Sequence, residues 1–304
     1  MSSVVISMLV GSHKSTNFLV ERSVSSILRN IGTLDYLLVI GVAPYIDKPI
    51  LHTLCKFKSY NVVIIRNCCD SFASFTNNTF QRYGKTSKWF IVAHDDIDLK
   101  TQNFIPTLEK TVKPMRDIGW VSFTDDDYLN GNWAPSTRPG YHRDFLEGNA
   151  WSKRQMFQFH LLGEGWLKRG SYRGLNYDFP EKPVICHAPF SHFIAIESSK
   201  FDLCEDWSEV SLLVDEDWGL SAMRKGLWNI WIPNIVYTHC RIAGTRAAHI
   251  ISKKAGKVHN CFRQKWGFTH HLPKRKDLKT VKRMYGNTNI VWSFDRDSFD
   301  WEYI

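Results

Sequence analysis

The stretch Trp89-Phe90-Ile91-Val92-Ala93-His94-Asp95-Asp96-Ile97-Asp98-Leu99 decides the fold class. Five apolar residues run without a break into His94 and then into Asp95, Asp96 and Asp98. A short continuous apolar run fits a strand covered on both faces, as in a parallel sheet between helices. Carboxylates clustered at the end of such a strand resist ionising together unless a positive charge sits among them. A divalent cation supplies that charge, and carboxylate oxygens suit hard ions such as Mg²⁺ or Mn²⁺. Open α/β sheets also bind their ligands at this edge. The plainer alternative is a solvated turn in which Asp98 caps a following helix. His94 reads as a ligand, as a donor to a ligand, or as an ordinary hydrogen-bonded polar residue.

Outward from this strand, the first half of the chain alternates. Val4–Val10 reads as a buried strand, followed by a turn at Gly11 and Ser12. Residues 17–29 carry Phe18, Val20, Val24, Ile27 and Leu28 at helical spacing. Tyr36–Val42 is the next strand, then a loop through Pro44 and Pro49, a strand over 61–66 and a helix over 71–83. Residues 88–93 form the fourth strand and 103–113 another helix. This alternation points to a mostly parallel, Rossmann-like α/β sheet with helices on both faces. Residues 120–123 make a short strand running into Asp125, Asp126 and Asp127. From about 130 to 183 the chain is irregular and aromatic, which suggests a binding loop, with a helix over 155–162 inside it. Strand character returns over 184–197. Residues 214–225 read as a helix closed by Gly226, and 228–237 as a strand that ends at His239.

Composition narrows the class. With 304 residues, 43% hydrophobic and 14% aromatic, the chain is globular rather than disordered and has room for one large α/β domain or two smaller ones. No apolar run approaches the about 20 residues of a membrane span, and Val4–Val10 has no basic leader. A cytoplasmic protein is therefore expected. Seven cysteines, an odd number without C-x-x-C spacing, agree with reduced thiols. The basicity is local: over 241–286, thirteen Lys or Arg face a single acid, Asp277, while the whole chain carries +9. Arg241, Arg246, Lys253 and Lys254 could clamp phosphates and close as a lid. Binding to nucleic acid or an anionic membrane surface, or a solvated basic face, are the other readings.

Two further features carry chemistry. Asp215, Glu216 and Asp217 open the 214–225 helix, where acids suit the positive end of the helix dipole. A carboxylate there could also act as a general base toward an incoming hydroxyl. His239 ends an apolar strand, which is a structural position unless it faces the acidic strand end.

In their order along the chain, the N-terminal strand-turn-helix, the acidic strand end, the Glu216-Asp217 helix opening and His239 resemble the family 2 glycosyltransferases of the GT-A fold. Residues 72–98 look like that family's stretch from an Asn-bearing helix to its DxD strand. Glu216-Asp217-Trp218-Gly219-Leu220-Ser221, with Arg224, Gly226, Pro233 and His239, is similar to its ED…R…G…P…H block. The acidic motif reads as His94-Asp95-Asp96 or as Asp96-Ile97-Asp98, and Asp96 belongs to both.

The resemblance implies a catalytic domain over 1–240, with a nucleotide-sugar half (1–128) and an acceptor half (129–240), and a basic C-terminal extension over 241–304. It implies a metal-dependent, inverting transfer of a sugar from a nucleotide-diphosphate donor to a glycan or other hydroxyl acceptor. Asp96, with Asp98 or Asp95 beside it, would bind Mn²⁺ or Mg²⁺ on the two phosphates, with His239 as a further ligand. The metal would neutralise the leaving diphosphate. Asp217 would be the catalytic base, with Glu216 as the substitute. Val10, Gly11 and Ser12 would line the base and ribose. Trp133, Tyr141, Trp151 and Trp166 would stack on the acceptor. A non-catalytic nucleic-acid- or glycan-binding protein on a similar fold is the alternative.

Overall fold

The computed structural model describes residues 2–11, 16–59, 61–69, 71–125, 184–185, 192–203 and 214–240, and also 258, 260–262 and 264–265. At 184, 185, 216, 220, 223 and 228 it describes the backbone alone. The strands are β1 (Val4–Val10), β2 (Tyr36–Val42), β3 (Val62–Arg66), β4 (Trp89–His94), β5 (Ile97–Leu99), β6 (Ile118–Asp125), β7 (Val184–Ile185), β8 (Phe193–Glu197) and β9 (Trp228–His239). The α-helices are α1 (Asn17–Asn30), α2 (Lys48–Cys55), α3 (Phe72–Thr79), α4 (Phe104–Val112) and α5 (Val214–Arg224).

All nine strands join one sheet in the order β3-β2-β1-β4-β8-β6-β9-β5, with β7 paired to β9. β1 to β4 are mutually parallel, as are β6 and β9, while β8 runs antiparallel between β4 and β6. β1 to β4 make the parallel α/β unit expected, while β5 and β7 also run antiparallel to β9, so the sheet as a whole is mixed. β7, β8 and β9, from the second half of the chain, complete the sheet begun by β1 to β4.

Period-two alternation builds a core on each face. Val4, Ile6, Met8 and Val10 of β1 join Val20, Val24 and Ile27 of α1 and Leu54 of α2. Val5 and Leu9 join Phe72 and Phe75 of α3 and Trp218 of α5. Gly41 of β2 sets the approach of α3, because a Cβ there would stand 2.3 Å from the Phe75 ring.

Several local expectations change. The loop expected around Pro49 is helix α2, with the proline in its first turn, where its missing N–H costs nothing. The helix expected over 71–83 is α3, capped by the Ser71 hydroxyl and continued by a π-helical turn, Phe80–Gly84. The strand expected over 184–197 is two strands, β7 and β8. β5 was not anticipated, and Asp98 lies within it rather than capping a helix. Among the described residues, no helix is long and apolar enough to cross a membrane. Cys55, Cys240 and Cys261 are free thiols.

Candidate metal centre

From His94 at the end of β4 to Ile97 at the start of β5 is three residue steps, a reach of at most about 11 Å. Along the sheet, however, β5 lies four places from β4. The long strand β9 reconciles these facts. It pairs with β6 from Trp228 onward, and its far end pairs with β5, Ile97 opposite His239. Two register shifts let it do so. At the first, buried Asn229 stands in for backbone, accepting from Trp120 N–H and donating to the Gly219 carbonyl of α5. Past the second, at Pro233, the end of β9 reaches the β4–β5 turn, where Cys240 N–H donates to the Asp96 carbonyl at 2.7 Å.

Helix α1 secures the other edge of β5. Ser23 donates its hydroxyl to the Ile97 carbonyl, Ser26 accepts from Leu99 N–H at 3.0 Å, and Asn30 donates to the Leu99 carbonyl at 2.6 Å. Buried backbone groups need such partners, so three polar residues on a buried helix face are the sequence trace of a covered strand edge.

Three histidines cluster at this edge, and two of them, His94 and His239, face Asp96. His94 N–H donates to the His192 carbonyl at 2.8 Å, extending the antiparallel register of Ala93 and Phe193 by one residue. The two are cross-strand neighbours with ring centroids 4.9 Å apart. His239 stacks on His192 with centroids 3.8 Å apart. One ring nitrogen from each of the three lies within 4.8 Å of the others. His239 Nε2 is 3.1 Å from Asp96 Oδ1, and His94 Nδ1 is 4.0 Å from the same oxygen. Buried Asp125, at the end of β6, holds the His239 backbone by accepting its N–H at 3.2 Å.

The electrostatics suit a cation. Burial lowers the His94 pKa to about 4, Asp96 pulling it up and His239 pulling it further down, so this imidazole is neutral at pH 7 with a lone pair to offer. Burial pushes the Asp96 carboxyl up, but His239 beside it and His94 outweigh that and hold it below its ordinary value. The approach of His239 to Asp96 is not aligned as a hydrogen bond, and Asp96 Oδ1 and His239 Nδ1 are buried without one. Buried polar atoms in that state call for a ligand or a water. Neutral imidazoles with an ionised carboxylate are a competent donor set for a divalent metal.

The other expected site residues fall as follows. Leu9 of β1 pairs with His94, the last pair of that ladder, and Val10 ends β1 one residue on. Val10 and Asp95 are buried, and the Gly11 carbonyl accepts from the Tyr45 hydroxyl. Asp98 is not brought to the histidines: Arg22 Nε donates to it at 2.8 Å, and Lys100 also reaches it. Burial raises its pKa, but the hydrogen bonds and charges of Lys100 and Arg22 outweigh that and hold it low. Asp217 is fully buried on the first turn of α5, with Lys265 Nζ 2.9 Å from one oxygen and 3.1 Å from the other. Phe72 links α5 to the centre, touching both His94 and Trp218. Ser12, Arg241, Arg246, the 130–183 segment with its four aromatic residues, and the Glu216 side chain lie outside the described residues.

His192 and Asp125 were not singled out from sequence as site residues. His192 sits one residue before β8 starts, whereas His239 ends β9, and a single strand drawn over 184–197 conceals that boundary.

No family model matches the chain, and no curated protein matches its sequence. Its fold is similar to that of GalNAc-T7, a GT-A glycosyltransferase, in the crystal structure with UDP, GalNAc and Mn²⁺, with a TM-score of 0.54 at 10% identity. The match covers 94% of this chain and 54% of GalNAc-T7, so the chain spans about half the length of that protein. The likeness is one of fold.

Proposed function

We propose that this chain is a metal-dependent glycosyltransferase drawing its sugar from a nucleotide-diphosphate donor. One observation carries this reading: Asp96 and His239 meet at the carboxyl edge of a GT-A-like sheet, beside the β1 end that carries Val10 and Gly11. Asp96 and His239, with Asp95 adjacent, hold Mn²⁺ or Mg²⁺, which when bound offsets the charge of the departing diphosphate. Val10, Gly11 and Ser12 present the end of β1 to the nucleoside. Asp98, engaged by Arg22 and Lys100, keeps β5 in place rather than binding the metal.

A carboxylate on the first turn of α5 takes the proton from the acceptor hydroxyl, for an inverting displacement. A general base has to come within hydrogen-bond reach of its substrate. Asp217 is that base, with Glu216 as its substitute; Asp217 lies buried against Lys265 Nζ, which the incoming hydroxyl would have to displace. Arg241 and Arg246 of the basic extension would supply positive charge to the diphosphate, and the 129–240 half the acceptor site.

The test is a thermal-shift series with UDP, GDP, CDP and ADP, each with and without Mn²⁺. One diphosphate should raise Tm only when metal is present, and Asp96→Ala should abolish the rise. The reading fails if no nucleoside diphosphate shifts Tm under either condition.

A further inference from the structure

We infer that His192 is a metal ligand, and that His94, His192 and His239, with Asp96 beside two of them, form a centre selecting a borderline transition metal such as Zn²⁺ over Mg²⁺. The inference deepens the glycosyltransferase reading, on which it rests for the role of the metal but not for its binding.

The four residues come from three places: the β4–β5 turn, the residue before β8 and the end of β9. The backbone presents them together. The β4–β8 ladder sets His94 opposite His192, β5 sets Ile97 opposite His239, and Asp125 fixes the His239 backbone. Ligands about 2.1 Å from a shared tetrahedral ion lie roughly 3.4 Å from one another. The three ring nitrogens, within 4.8 Å of one another, need only side-chain rotation to reach that spacing.

The donor chemistry decides which ion is taken. Mg²⁺ prefers oxygen ligands in a near-ideal octahedron and keeps its waters. A set dominated by three imidazoles favours Zn²⁺ and its neighbours, Co²⁺, Ni²⁺ and Fe²⁺, over Mg²⁺ and Mn²⁺. The opposing account is three histidines stacked as ordinary packing. It leaves His239 Nδ1 buried without a hydrogen bond, a nitrogen for which a cation would be the partner.

The test uses the full chain stripped of metal, with no nucleotide present. Mn²⁺, Zn²⁺ and Mg²⁺ are titrated separately, reading bound metal by equilibrium dialysis with elemental analysis and stability by Tm. Expected are one equivalent of Zn²⁺, bound at least about tenfold more tightly than Mg²⁺, and a rise in Tm. His192→Ala and His192→Asn should each weaken binding by at least about tenfold and alter the visible spectrum of the Co²⁺-loaded protein, while metal-free circular dichroism stays that of the parent. Metal binding indifferent to His192, or Mg²⁺ held as tightly as Zn²⁺, overturns the inference. Where a variant loses its fold, the metal preference of the unaltered chain decides. A nucleoside diphosphate arm on the same samples separates the two readings. Metal uptake through His192 with no diphosphate response supports this inference and sinks the glycosyltransferase; a metal-dependent diphosphate response indifferent to His192 does the reverse.

Discussion

Replacing Lys265 by methionine isolates what Asp217 does. The Asp217 side chain is 0% exposed and both its oxygens face Lys265 Nζ, whose side chain is 17% exposed. Breaking a buried ion pair from one side costs about 3–5 kcal/mol, because the remaining charge stays buried, whereas replacing both partners is often close to neutral. The residual exposure of Lys265 puts Lys265→Met near the lower end, about 3 kcal/mol. Asp217→Asn should cost less, about 1–2 kcal/mol, since the lysine can turn its ammonium toward water. The double variant should recover most of the loss, leaving about 1 kcal/mol and so a coupling of about 3–4 kcal/mol in a double-mutant cycle. Urea unfolding at pH 7 reads all four proteins, provided the m-value is unchanged. With Asp217 as the base, the double variant regains stability without transferase turnover, while Glu216→Gln keeps turnover. Lys265→Met within about 0.5 kcal/mol of the parent, or a double variant no better than the worse single, refutes the reasoning.

Three other outcomes are expected. Arg22→Ala should destabilise the fold by about 1 kcal/mol at pH 7, the scale of one charge-assisted, part-exposed contact with Lys100 still in place. Because Asp98 is held below its ordinary pKa, its contribution is present above the unfolded value, about 3.9, and is lost as pH falls through the folded one. The gap in Tm between parent and variant should therefore close below about pH 4, and a gap that persists to pH 2 contradicts this. Gly41→Ala drives a methyl into the Phe75 ring at 2.3 Å and should cost about 1–3 kcal/mol in urea unfolding, partly relieved by Phe75→Leu; a neutral result means that α3 is free to move. Asn229→Ala deprives buried Trp120 N–H and the Gly219 carbonyl of their partner and should cost about 2–3 kcal/mol; a loss under about 0.5 kcal/mol shows the β6–β9 register shift to be filled some other way.

The parts read correctly from sequence are those governed by neighbours along the chain. The apolar runs of β1, β2 and β4 and the helical spacing of α1 and α4 declare themselves within a dozen residues, as does Gly226, whose φ of +78° follows α5. Pro49 misled because proline breaks a helix interior but not a first turn. β5 escaped because three residues carry too little pattern. Its strand character comes from β9, more than a hundred residues later, and from Ser23, Ser26 and Asn30 on α1.

Sequence by itself determined that an apolar strand ends in carboxylates at the ligand-binding edge of an α/β sheet, and that His239 closes a late strand. Those are local facts of pattern and composition. Tertiary structure decided which carboxylate faces the histidines. Asp96, in the turn, meets His239, while Asp98, two residues on, is drawn to Arg22 and Lys100. It also brought His192 into the group, through a strand pairing between residues about a hundred positions apart. Backbone hydrogen-bond register sets such meetings, and register is a property of two strands together that neither segment carries alone.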